Sequence, residues 1–364
     1  MKDLLTDLKK PANRRSFLKK SLAASGAAAG AGLLAGRLPA SAATVASLPA
    51  GDVAILKFLA AAELIEADLW QQYAELGGVT LGHQNPYQVA LQNLDGDGSQ
   101  YISSNTLDEQ SHASFLNAYL IAKGQEPVDL DVFRILPSSQ AKGAQQIGRL
   151  TNLMQLSVDT SWYTRYRSAT NPDFGATFPQ ALPQLAAGQF PAIPRTNDDF
   201  SPAAHVQAIA NTAAFHFGFI EQGGSSLYAT LSQKVSDPEV LKIALSIGGD
   251  EVCHFLEWVD FAGNGVQPPI APFTDPVSGL TFPDFNAASD PLLQTNLIFP
   301  VPCEFVSSRL PHCAVIRPTA GNQINAEAAV NAFMADGLFL GQGPQFTNLL
   351  MNLAKAADAA QRQA

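Results

Sequence analysis

Two glutamates of this chain stand where a carboxylate is hardest to keep. Glu63 lies in the run Leu59-Ala60-Ala61-Ala62-Glu63-Leu64-Ile65-Glu66, and Glu221 ends the run Phe215-His216-Phe217-Gly218-Phe219-Ile220-Glu221. A carboxylate buried in such company without a partner costs several kcal/mol. It requires a cation, a metal or a neutral form, and no Lys or Arg lies near Glu221 in the sequence. Any fold must therefore bring a compensating group to these positions.

Two further glutamates each precede a histidine by three residues, in Glu109-Gln110-Ser111-His112 and Glu251-Val252-Cys253-His254. Glutamate is only 11 of the 364 residues, so roughly 0.2 such spacings are expected by chance. Both fall in helical sequence, where residues three apart share a face. A carboxylate and an imidazole on one face suit borderline metals such as Fe, Mn or Zn.

The pattern of apolar residues and stop signals predicts helices over Val53 to about Leu76, ended by Gly77-Gly78, and over Tyr101 to Lys123, ended by Gly124 and Pro127. Asp52 is expected to cap the first. A Gly/Asn/Asp-rich loop is expected to follow, and within it Asp95-Gly96-Asp97-Gly98 lacks the offsets of a calcium loop and reads as a turn. Another helix is expected within 137–168, and 171–201 reads as irregular. Ser201-Pro202 is expected to open a helix reaching about Gln233. Ser236 is expected to cap a last one, running to about Ala262 with Asp237 and Glu239 in its first turn. Residues 264–321 are Pro-rich with room for short strands, and 323–361 are Ala-rich and helical.

The turn near Val235 allows a check. Glu221 lies about 21 Å before it, and Glu251 and His254 about 24 and 28 Å after it, at 1.5 Å per residue. So short a connection makes the two helices antiparallel neighbours. The three side chains then share one level of the bundle.

The first 42 residues read as an address. They hold eight of the 22 basic residues and two acids, so the rest carries 14 basic and 30 acidic residues, a net −16. Arg14-Arg15-Ser16-Phe17-Leu18-Lys19-Lys20 precedes a soft Ala/Gly/Leu run from Ser21 to Leu34, and Ala40-Ser41-Ala42 is a small-x-small cleavage site. This is a signal peptide that resembles the twin-arginine type. It makes the chain an exported protein, periplasmic or extracellular, with the twin-arginine export machinery as a partner and its cofactor loaded before transport. The run is too Gly-rich to span a bilayer, so the mature chain is expected not to be membrane-embedded. Its acidity argues against nucleic acid as a partner.

The order Glu, Glu-x-x-His, Glu, Glu-x-x-His resembles the ligand scheme of the ferritin-like superfamily over roughly residues 52–263. The likeness is greatest to its exported, desiccation-related branch, which carries a helix such as Ala62-Glu63-Leu64-Ile65-Glu66-Ala67. The resemblance implies an all-α, ferritin-like four-helix bundle over 43–263, with a long crossover insertion at about 125–201. A C-terminal Pro-rich and helical extension over 264–364 follows. It also implies two Fe or Mn ions held by Glu63, Glu109, His112, Glu221, Glu251 and His254, with Glu109 and Glu251 as the bridging acids. Glu66 shares the face of Glu63 and is the alternative to it. Tyr228 and Trp70, each seven residues after a single carboxylate, would stand near the site.

The implied function is redox chemistry with O2 or peroxide. As an enzyme the chain would be a di-metal oxidoreductase, catalase- or peroxidase-like, or ferroxidase-like. The alternatives are a stress- or desiccation-related protein with a non-catalytic metal site, iron storage as a homo-oligomer, or a bundle without metal. About 109 residues separate His112 from Glu221, and this, with the long C-terminal extension, departs from the compact subunits of storage cages. His83, His205 and His216 read as structural or surface histidines, and His312 has no assigned role. Cys253 reads as a small buried thiol. Cys303 and Cys313 are left either bonded or free.

Overall fold

The computed structural model describes residues 47–79, 84–166, 178–285, 300, 302, 306–314 and 325–363. The segment read as a signal peptide lies outside them. Four long helices form the body: α1 (Ala50–Gly77), α3 (Gly98–Ala122), α6 (Ala203–Ser232) and α7 (Pro238–Asn264). Around them stand α2 (Pro86–Leu94), α4 (Ser161–Tyr166), α5 (Pro183–Ala187), α8 (Ala326–Ala335) and α9 (Pro344–Asp358). The only sheet among the described residues is one antiparallel pair, β1 (Phe273–Thr274) and β2 (Thr281–Phe282), with Phe273 opposite Phe282. The all-α reading therefore holds. No helix of the described residues is long and apolar enough to cross a membrane.

Helix α1 packs along α3, and α6 along α7. The two pairs meet over aromatic rings from three helices. Trp70 of α1 stacks on Trp258 of α7, centroids 5.3 Å apart, and lies 4.8 Å from Phe217 of α6. All three are buried. Rings of this size supply most of the apolar area that holds such a layer together.

The helix ends follow local chemistry, not always that expected. Gly78 closes α1, its N–H donating to Ala74 O. A Cβ there would lie 2.6 Å from Ala74 O and 2.7 Å from Ser103 Oγ, so only glycine fits. Asp52 lies in the first turn of α1 but does not cap it. Its buried carboxylate accepts instead from the N–H of Ser236 and Asp237, at 3.0 and 2.6 Å. Asp237, not Ser236, caps α7, accepting from Glu239 N and Val240 N, with Pro238 at the first helical position. Ser201 makes no cap either, since α6 begins after Pro202. Helix α2 falls in a stretch expected to be loop. Asn85 caps it through Gln88 N, and Tyr87, Ala90, Leu91 and Leu94 form its buried stripe.

The helix expected within 137–168 reduces to α4. Residues 137–160 are extended and irregular because α1 offers this strand of chain better partners than its own carbonyls. Asp68 accepts from Leu150 N and Thr151 N, both at 3.0 Å, from Thr151 Oγ1 at 2.7 Å and from Arg134 Nη1 at 2.6 Å. Glu75 accepts from Arg149 Nη2 at 2.6 Å and Gln145 N at 2.8 Å. The crossover is thereby tied to the C-terminal part of α1. The C-terminal helices are tied in the same way. Asp358 of α9 accepts from Ala326 N and Glu327 N at the start of α8, while α9 packs on α1.

Asp68 carries the crossover more than any other side chain. Asp68→Ala should lower the unfolding free energy by about 3–5 kcal/mol, because Arg134 and two backbone N–H groups lose their acceptor. Urea unfolding measures this. A loss below about 1 kcal/mol would mean that water replaces the carboxylate.

Candidate metal centre

Each long helix sends one element of the motif to a common level. Glu63 comes from α1, Glu109 and His112 from α3, Glu221 from α6, and Glu251 and His254 from α7. The four glutamates are at most 1% exposed, and His112 and His254 are 8% and 7% exposed. His254 Nδ1 lies 3.4 Å from Glu221 Oε2, the level that the turn near Val235 predicts, and 3.1 Å from Glu109 Oε1. His112 Nδ1 lies 3.3 Å from Glu109 Oε2, 3.4 Å from Glu63 Oε2 and 3.8 Å from Glu251 Oε1.

Two overlapping groups result, Glu63–Glu109–His112–Glu251 and Glu109–Glu221–Glu251–His254. In each, one donor atom per residue lies within 4.8 Å of all the others. Glu109 and Glu251 belong to both groups. Glu66, buried one turn after Glu63, belongs to neither.

Among the described residues no Lys or Arg pairs with any of the six. Glu63 Oε2, Glu221 Oε2, both carboxylate oxygens of Glu251 and His254 Nδ1 are buried without a hydrogen-bond partner. Protons alone balance the charge poorly. Burial, then the charge of Glu221, pushes Glu109 up to about 7. Burial and the neighbouring glutamates push Glu251 and Glu66 well above the usual carboxylate range. Burial would lower His112, but the adjacent carboxylates of Glu109 and Glu63 outweigh it and raise it to about 10. Burial is likewise overcome at His254, chiefly by the charge of Glu221. Converging, unpartnered oxygens with imidazoles beside them and no basic side chain are what a pair of divalent ions requires. The residues present fit that group.

A family model described as a ferritin-like domain matches residues 51–257. The chain belongs to the ferritin-like family. Comparison with curated proteins and with solved structures finds no match.

The ferritin-like site has a second set of partners that the motif spacing does not reveal. Tyr228 donates its hydroxyl proton to Glu63 Oε1. Burial and the charges of Glu63 and Glu251 keep that phenol protonated. Asn105 donates to Glu109 Oε1 at 2.8 Å and Glu221 Oε1 at 3.2 Å, while its own carbonyl accepts from Trp258 Nε1 at 2.7 Å. Asp250 Oδ2 lies 3.2 Å from His112 Nε2, and Asp108 Oδ2 lies 3.4 Å from His254 Nε2. Each Glu-x-x-His is in fact Asp-Glu-x-x-His, and that repeated aspartate was the available signal. Gly224 makes room for Glu251, because a Cβ on it would overlap Glu251 Oε2 and lie 2.9 Å from Cδ.

The remaining expected residues divide plainly. Trp70 belongs to the aromatic cluster with Phe217 and Trp258, its indole N–H unpartnered. His205 is buried between Asp275 and Asp199, and His216 shares a 2.7 Å hydrogen bond with the Tyr73 hydroxyl. Burial lowers His216 to about 3. His312 is exposed. Cys253 is also exposed, not buried, because it points away from the face that carries Glu251 and His254. His83 and Cys303 lie outside the described residues, and with Cys303 the question of its pairing with Cys313.

The metal-free protein should lose stability as pH rises. Glu109, Glu251 and Glu66 hold protons in the folded state that the unfolded chain releases above about 4.5, so their contribution falls from there upward, to about 7 for Glu109. His112 acts in the same direction. Its charged form is favoured in the fold, and that stabilisation disappears between about 6.5 and 10. Thermal melts of chelator-treated protein at pH 5, 7 and 9 should give a falling Tm, and a rising one would contradict this electrostatic account.

Proposed function

We propose that this chain is an exported ferritin-like protein holding a dinuclear Fe or Mn centre for redox chemistry with O2 or peroxide. Its ligands are Glu63, Glu109, His112, Glu221, Glu251 and His254. The observation that carries this reading is the pair of overlapping four-residue groups, which share Glu109 and Glu251 and are rich in unpartnered oxygens. That sharing supports a reading in which Glu109 and Glu251 would serve both ions, with Glu63 and His112 holding one and Glu221 and His254 the other. Two such ions supply electron transfer and Lewis acidity.

The chain's own residues do the rest. Tyr228 holds a proton at Glu63 Oε1. Asn105 fixes one oxygen each of Glu109 and Glu221. Trp70, Phe217 and Trp258 form a buried aromatic cluster where the two helix pairs meet. The twin-arginine-like segment supports loading before export to the periplasm or beyond.

A shell for iron storage receives less support, because the crossover and α9 both lie on α1 and occupy helix surface that a compact cage subunit would present to neighbours. The near-complete burial of the six residues favours a second reading, a structural metal site in a stress- or desiccation-related protein.

Metal analysis of the natively exported protein, with assays of peroxide decay and O2 uptake, separates these readings. Two metals per chain with turnover supports the first. Two metals with a raised Tm and no turnover supports the second. Fewer than one metal after loading with Fe and Mn rejects both. Glu251→Gln should raise the Tm of metal-free protein, by removing a buried acid, while dropping metal content below one per chain. Gly224→Ala should also reduce metal content, since Glu251 must move, and should cost about 1–3 kcal/mol of stability.

A further inference from the structure

The C-terminal extension meets the crossover where α8 ends. Asp336 closes that helix, and the residues after it lie against 152–157. Ser157 N donates to Asp336 O at 2.9 Å, Asn152 N to Leu338 O at 2.7 Å, and Asn152 Nδ2 to Gly337 O at 3.2 Å. Gly337 has φ +81°, and a Cβ on it would lie 3.2 Å from Gln155 O, so the two backbones approach closely there. Leu338 and Phe339, next in the chain, are buried.

The Asp336 carboxyl is badly placed for a charge. It is 5% exposed, and its Oδ2 is buried without a hydrogen-bond partner. It stands at the C-terminus of a helix, where the backbone dipole opposes an anion. The charged group that acts on it is another acid, Asp159 of the crossover, whose N–H donates to it. Asp159 is held in place, its Oδ1 accepting from Ser161 N at 2.8 Å and Gln180 Nε2 at 3.1 Å. Helices α6 and α9 also pack on α8. The titratable groups of α6, His205, His216, Glu221 and Tyr228, are engaged elsewhere. In α9, Lys355 is exposed, and Asp358 receives the opposite end of α8, about 14 Å away. Burial, then the charge of Asp159, raises Asp336 well above the usual carboxylate range.

We propose that this seat is a proton-operated latch: Asp336 holds the C-terminal extension to the crossover while protonated, and the contact loosens as the carboxyl ionises. Docked, Asp336 keeps its proton. Undocked and solvated, it releases that proton above about 3.8. The docked state therefore binds one proton more, and its stability falls as pH rises from there. Ionisation in place leaves a buried charge with an acid, not a cation, beside it, so opening becomes the less costly state. The latch is independent of the buried centre and of how that centre is read.

The test follows hydrogen–deuterium exchange of the natively exported protein at pH 5, 7 and 9, as protection factors with the intrinsic exchange rate at each pH divided out. Peptides spanning 150–158 and 333–340 report the latch. Peptides of α3 and α7 report the bundle, which has its own pH dependence. Latch protection should fall at least tenfold more than theirs between pH 5 and 9. Asp336→Asn puts a neutral group of the same shape in the seat and should stay protected at all three. Asp159→Asn keeps the Oδ1 acceptor and removes the charge, so its loss of protection should begin at higher pH.

Latch peptides that follow the bundle in wild type overturn the proposal. So does an Asp336→Asn protein whose protection falls as in wild type, because another group then titrates. If that variant is already open at pH 5, the carboxyl acts through its hydrogen bond and not its charge, and the latch is again rejected. An unmoved loss in Asp159→Asn rejects the opposition of the two acids on which it rests.

Discussion

Four carboxylates buried beside one another, with no Lys or Arg paired to them among the described residues, are the constraint on which this structure depends. Desolvation and mutual repulsion both oppose the arrangement. Protons relieve it in part, as the upward displacement of Glu109 and Glu251 shows. The rest of the molecule is organised to hold the acids together nonetheless. Tyr228 and Asn105 anchor one oxygen each of Glu63, Glu109 and Glu221. Gly224 yields its side-chain space to Glu251. Trp70, Phe217 and Trp258 pack the two helix pairs against each other.

Much of this was legible in the sequence, for reasons that can be named. Helices α1, α3, α6 and α7 are long enough for periodicity and stop signals to show, and a Glu-x-x-His in such a helix can point only one way. The short turn between α6 and α7 made the level of Glu221, Glu251 and His254 a matter of counting. What was not legible depended on contacts between distant segments. Residues 137–160 have helical composition, yet Asp68 and Glu75 of α1 satisfy their backbone and side chains. Helix α2 has only nine residues, and its stripe of Tyr87, Ala90, Leu91 and Leu94 is diluted by Asn and Gln. Cys253 inherits no burial from its buried neighbours, since adjacent helical residues face apart.

The crossover and the C-terminal helices follow a common rule. Each is held by an acid that receives N–H groups from another segment: Asp68 of α1 for the crossover, Asp358 of α9 for α8. Aspartate suits this work because its short side chain loses little rotational freedom and accepts two donors at once. Part of the acidity of the chain is thus internal scaffolding, not surface charge.

Asp52 is a third such acid, and its position has a larger consequence. It joins the first turn of α1 to the turn between α6 and α7, and so fixes how far one helix pair can slide along the other. A slip of one helical turn displaces a side chain by about 5.4 Å, more than the 4.8 Å within which each group of donors lies. Glu63 comes from one pair, and Glu221, Glu251 and His254 come from the other. Asp52 therefore works as an alignment pin, setting the register of the two halves from a point roughly 16 Å up α1 from Glu63.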